Sequence, residues 1–272
     1  MKILACIPHF FGPSSRFSGG SSYSVGIGDS EVTVRKERRT TYLGRNLASL
    51  KALRDLGFDV DTRVCGVTQE TSLLPVDWHF PGLEDPTHLV HEVIRRLASE
   101  GLDYDYVICI EDDMILPVET FRNVLKFDEI SFDNEILHPN RIEFDDHGVA
   151  ACVDLIASPG WSFHERVIFE HTVGQAHNPH SAIAILARRK LQYATQHIDL
   201  DSRARVVGGP MASAFANLHR PFALWRPKSD LTFHTVIHQD TFQAVSGGSP
   251  ISLPRRIVRR ALRSSSRRMA QG

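Results

Sequence analysis

The chain has 272 residues, 42% hydrophobic and 23% charged, the proportions of a globular protein with a core of its own. Its formal net charge of −1 excludes the basic surplus that marks duplex-binding proteins, so no nucleic-acid partner is expected. No run approaches the ~20 apolar residues of a spanning helix; the longest candidates are Val107–Ile110 and Ala182–Ala187.

The N-terminal stretch has five apolar residues between Lys2 and Pro8, too few for a signal-peptide core. The four cysteines, Cys6, Cys65, Cys109 and Cys152, show no CxxC spacing and sit mostly in apolar runs. Buried free thiols in a reducing, cytoplasmic compartment are the expectation.

Lys2–Ile7 reads as a buried first strand closed by Pro8. Gly12–Ser30 is rich in Gly and Ser and is predicted to be a long loop or lid. Its Gly26-x-Gly28 lacks the third glycine of a dinucleotide fingerprint and does not follow the strand directly. Leu43, Leu47, Leu50, Leu53 and Leu56 recur at helical spacing before Gly57, which predicts a core-facing helix. Phe58–Val64 alternates apolar with polar, the period of a strand.

A second unit repeats the order. Asp85 can cap a helix, Pro86 suits its first turn, and Leu89, Val90, Val93, Ile94 and Leu97 make one apolar face before Gly101. Tyr106–Ile110 follows as a third strand. Strands alternating with helices predict an α/β fold, a mostly parallel central sheet flanked by helices.

Ligands of open α/β sheets bind beyond the carboxyl ends of the strands, where Glu111-Asp112-Asp113 stands as Tyr106–Ile110 runs out. Three adjacent carboxylates repel one another, and a hard divalent cation such as Mn²⁺ or Mg²⁺ would offset that repulsion. The alternative is an acidic approach to a helix beginning at Pro117, where carboxylates are favoured by the helix dipole.

The segment VICIEDDMILPVETFRNVL resembles the strand, D-x-D-type motif and following helix of GT-A glycosyltransferases. ILACIPHF is similar to their first strand, LGRNLASLKAL to their first helix, and HPNRIEF to the segment after the D-x-D helix. The likeness covers most of Lys2–Asp240, and the acidic motif is its specific part. It implies a Rossmann-like GT-A fold using a nucleotide-sugar donor, with Pro8 and His9 on the base side, Glu111 or Asp112 at the ribose or metal, and Asp113 on the cation. Glu111 departs from the usual Asp and lengthens the arm by a methylene.

Such enzymes often add a late His as metal ligand, and His234 and His238 share one side whether the segment is helix or strand. His234 is the preferred candidate. The resemblance implies transfer to a glycan or lipid-linked acceptor by metal-assisted displacement at the anomeric carbon. Asp199, Asp201 and Asp240 are available as base, and no motif selects among them, so the catalytic residue is left unassigned.

His164, Glu165, Glu170, His171, His177 and His180 lack tight zinc spacing and are read as acceptor-side loop. Arg188-Arg189-Lys190 is read as a solvated helix face. Gly208-Gly209-Pro210 turns into a small-residue helix, Met211–Leu218. Trp161 and Trp225 could stack on sugar rings, although core packing is the commoner fate.

The expected organisation is a catalytic domain over 1–245, with a nucleotide-binding half of about 1–116 and an acceptor half of about 117–245, then a basic tail over 246–272. PRRIVRRALRSSSRRMAQG carries seven arginines and no acid. As a helix it would put Ile257, Val258, Ala261 and Leu262 opposite the arginines, suited to peripheral contact with anionic lipid; the alternative is a solvated basic tail. Two rivals stand beside the glycosyltransferase reading: a nucleotidyltransferase, and a non-catalytic nucleotide- or sugar-binding module.

Overall fold

The computed structural model describes residues 1–11, 29–68, 72–83, 85–144, 150–153, 161–179, 182–204, 206 and 210–240. Most of the Gly12–Ser30 loop, the Gly208-Gly209 turn, His180, the Trp161 side chain and the 246–272 tail lie outside the described residues. No helix among the described residues is long and apolar enough to cross a membrane.

The strands are β1 (Lys2–Pro8), β2 (Asp59–Gly66), β3 (Trp78–His79), β4 (Tyr106–Ile110), β5 (Met114–Ile115), β6 (Glu135–Leu137), β7 (Asn140–Phe144), β8 (Ala150–Cys152), β9 (Trp161–Ile168), β10 (His171–Ala176), β11 (Ile183–Ala187), β12 (Ala223–Pro227) and β13 (Thr235–His238). The helices are α1 (Asp29–Arg54), α2 (Leu89–Glu100), α3 (Val118–Asp128), α4 (Arg188–His197) and α5 (Pro210–His219).

The central sheet runs β11-β4-β1-β2-β3. Its inner pairs are parallel and only β11 against β4 is antiparallel, so the expected mostly parallel α/β sheet is what the chain builds. Both faces of β1 are buried, and the strand's two-residue period divides its side chains between two cores. Ile3, Ala5 and Ile7 meet Leu43, Leu50 and Leu53 of α1 and Phe121 and Val124 of α3. Leu4 and Cys6 meet α2 together with Leu191 of α4 and Phe215 and Leu218 of α5. Burying each such leucine or phenylalanine contributes about 1.5–3 kcal/mol.

Two smaller sheets extend this layer, in the orders β6-β12-β10-β9 and β5-β13-β7-β8. The first packs Leu137, Ile168, Val173 and Trp225 on Phe127 of α3. Trp225 is thus a core residue: its indole N–H donates to Glu135 and its ring lies under the Arg166 guanidinium. All four cysteines are free and buried, as expected.

Helix α1 begins well before the leucine stripe that predicts it. Its first turns are mostly exposed and mostly polar, with Val32 and Val34 their only large apolar residues, so they carry no apolar period; helix-forming residues and the i,i+4 pair Glu31–Arg35 at 2.8 Å support them instead. Asp85 does cap, but the turn it starts, Pro86–His88, is a 3₁₀ segment leading into α2. The basic triplet is only in part a solvated face: Arg188 is exposed, but Lys190 is buried against Asp128 and Ser131, and Arg189 binds Asp133.

Candidate functional site

Register explains how the candidate site is assembled. Strands β1 and β4 are parallel neighbours with Cys6 beside Cys109, so three residues further along each chain His9 meets Asp112. His9 Nδ1 lies 2.6 Å from Asp112 Oδ2, and the Leu73 N–H donates to Nε2 at 2.9 Å. Nε2 is therefore the acceptor and Nδ1–H the donor to Asp112. Pro8 closes β1 immediately before this pair.

The third strand of the site arrives from the far end of the chain. Antiparallel pairing puts His238 beside Met114, and parallel pairing of β13 with β7 puts Ile237 beside Ile142. His238 is thereby set between Asp113 and Glu143: Nε2 lies 3.4 Å from Asp113 Oδ2 and Nδ1 lies 2.7 Å from Glu143 Oε1. The Gln239 N–H donates to the Asp113 carbonyl and its side-chain amide to the Tyr42 carbonyl, both at 2.9 Å.

Helix α1 closes the site from above. The stripe Arg39, Leu43, Asn46, Leu50, Leu53 runs at helical spacing; its leucines enter the core while its two polar members reach beyond the strand ends. Asn46 donates to the Glu111 carbonyl at 2.8 Å. Arg39 forks across the acidic pair, one nitrogen to Asp113 Oδ2 at 2.8 Å and the other to Asp112 Oδ1. Sequence reasoning missed Arg39 and Asn46, although Asn46 falls within the leucine period and Arg39 continues it toward the N-terminus.

The electrostatics follow from this packing. Burial first, then repulsion from Asp113, pushes the Glu111 carboxyl up to about 8. Burial would raise Asp113 as well, but His238 and Arg39 outweigh it and hold that carboxyl well below the ordinary carboxylate range. Burial opposes charge on His238, yet Asp113 and Glu143 raise the imidazole to about 10. At neutral pH the site therefore holds Asp113 ionised and His238 and Arg39 charged, with Glu111 largely protonated.

His9, Asp112 and Asp113 are brought together as a cluster, with Glu111 as its backbone anchor. His234 stands apart. It is fully buried immediately before β13, its Nε2 is 3.1 Å from the Leu137 carbonyl, and burial lowers its pKa to about 3. Four residues of strand separate it from His238, about 13 Å of rise, so His238 and not His234 faces Asp113. Of the three aspartates available as a base, Asp240 adjoins the site near Tyr42, whereas Asp201 pairs with Arg95 at 2.8 Å. The helix-start reading of the acidic triplet also needs correction, because β5 separates it from α3.

The donor chemistry fits a divalent cation at one point. Asp113 Oδ1 is buried and has no hydrogen-bond partner among the described residues, leaving an anionic oxygen without the donor or ion that such an atom requires. No three His, Cys, Asp or Glu side chains converge as a formed metal cage among the described residues; the place between the two aspartates is taken by Arg39.

No protein-family model matches the chain, and no curated protein sequence matches it. Among solved structures it is similar to one described as the crystal structure of 4-diphosphocytidyl-2C-methyl-D-erythritol synthase, at 17% identity and a TM-score of 0.38, over 96% of this chain and 98% of that one. A likeness at that TM-score and identity says nothing of ligand or reaction.

Proposed function

We propose that the chain is a glycosyltransferase that takes a sugar from a nucleotide-sugar donor, with a divalent cation at Asp113. The observation that carries this reading is the ionised, partly unsatisfied Asp113, held where β4 ends beside the end of β1. The resemblance of VICIEDDMILPVETFRNVL to the GT-A motif supports it independently.

Asp113 would hold the cation through Oδ1, while His238, charged at neutral pH, orients the carboxylate through Oδ2 and is not itself a ligand in that state. When bound, that ion would neutralise charge gathering on the departing diphosphate. The protein's own work would be positional. His9 keeps Asp112 in one orientation through both ring nitrogens, and Asn46 fixes the backbone turn at Glu111. Glu143 steadies His238 from behind. A preformed set of charges of this kind costs little reorganisation when a donor arrives.

The test is calorimetric titration of UDP, GDP and CMP, each with and without Mn²⁺, and of the nucleoside triphosphates in parallel. One diphosphate, or CMP, binding only with metal is the expected result and would also name the donor class. A preference for a triphosphate would instead favour nucleotidyl transfer. Binding of none would end the nucleotide reading.

A further inference from the structure

Arg39 is held in an unusual way for a side chain at the centre of a charged cluster. Among the described residues its hydrogen bonds go only to Asp112 and Asp113, and its buried Nε has no partner there. It also sits on a weakly anchored stretch of α1. Nearly every residue from Ser30 to Thr41 is exposed or half-buried, and the helix first enters the core at Leu43. Its partners, by contrast, are fixed without it: Asp112 keeps His9, and Asp113 keeps His238 and the Gln239 N–H.

The second observation is Asp113 Oδ1, the buried oxygen that Arg39 leaves unsatisfied. A divalent cation reaching that oxygen would lie next to the guanidinium bound to Oδ2 of the same carboxylate. Positive charges so close in a water-poor site repel strongly, so full occupancy by both is disfavoured.

We propose that Arg39 is a displaceable counter-ion, gripping Asp112 and Asp113 until a divalent cation enters and then giving up its place, so that metal binding here is an exchange of cations. This rests on the reading that Asp113 takes a metal. The fork suits the role, since two parallel N–H bonds hold the two carboxylates in register while the site awaits its ion. The released side chain, still tethered to α1, stays at the edge of the site as a free positive charge.

The experiment measures Mn²⁺ binding to the full chain without nucleotide, by electron paramagnetic resonance, for the wild type, Arg39→Gln and Arg39→Lys. Removing the competitor should tighten Mn²⁺ binding about tenfold or more in Arg39→Gln. Arg39→Lys keeps one charge but loses the fork, so a gain of a few-fold is expected; it carries the test alone if the Gln variant does not fold. Equal or weaker binding in the variants, beside measurable binding in the wild type, overturns the exchange and leaves the metal site standing. Absence of Mn²⁺ binding in all three overturns the exchange and the metal reading together.

Discussion

Asp113→Asn is expected to abolish metal-dependent nucleotide binding, lowering Mn²⁺ affinity by about 100-fold or more, while the protein stays folded. Asparagine keeps the size of the side chain and an oxygen for Arg39, and the main-chain bond from Gln239 to residue 113 is untouched. What disappears is the negative charge. Arg39 still has Asp112 and His238 still has Glu143, so neither cation is left buried alone, and the stability loss should be about 1–3 kcal/mol. Titration with nucleotide and Mn²⁺, beside a melting curve, separates the two effects. Wild-type binding in the variant would remove the acidic motif from the function.

A second large effect is expected at His234, far from this chemistry. Its folded-state pKa is lowered to about 3 by burial, against an ordinary value near 6.5. Below pH 6.5 the unfolded chain therefore takes up a proton that the folded chain refuses, and stability falls with pH until the folded pKa is reached. From pH 7 to pH 4.5 the loss from this one group is about 2–3 kcal/mol. His234→Gln can still donate to the Leu137 carbonyl but does not titrate. Denaturant unfolding at the two pH values should show the wild type losing more than the variant by that amount. Equal losses would mean that the ring admits a proton without penalty.

How much of this was legible in the sequence depended on whether a signal was local. Tyr106–Ile110 and the acidic triplet are adjacent and of opposite character, so strand, strand end and carboxylates could be read together. The leucines of α1 were legible for the same reason. Arg39 was not, because a charged residue on a helix usually reads as a solvated face; only the three-dimensional approach of α1 to the end of β4 shows that this one points inward. The choice between His234 and His238 was equally closed to sequence. Four positions apart, they would share one side of a strand or a helix, and the register of β13 against β5 and β7 decides which of them reaches Asp113. The two smaller sheets were missed in part because three of their strands, β5, β6 and β8, are only two or three residues long and show no period.

The central sheet also carries its own chemical stopwatch. Cys6 and Cys109 are direct neighbours on adjacent strands, and Cys65 touches Cys6 from the third. Burial pushes the thiols of Cys6 and Cys109 well above their ordinary range, which withholds the thiolate on which alkylation depends. A maleimide added to the native protein at neutral pH should therefore find these sulfurs silent. The pace at which label appears on Cys6 and Cys109, told from Cys65 and Cys152 by peptide mapping, would time the parting of β1 from β4, seen from inside the sheet and with no foreign probe installed.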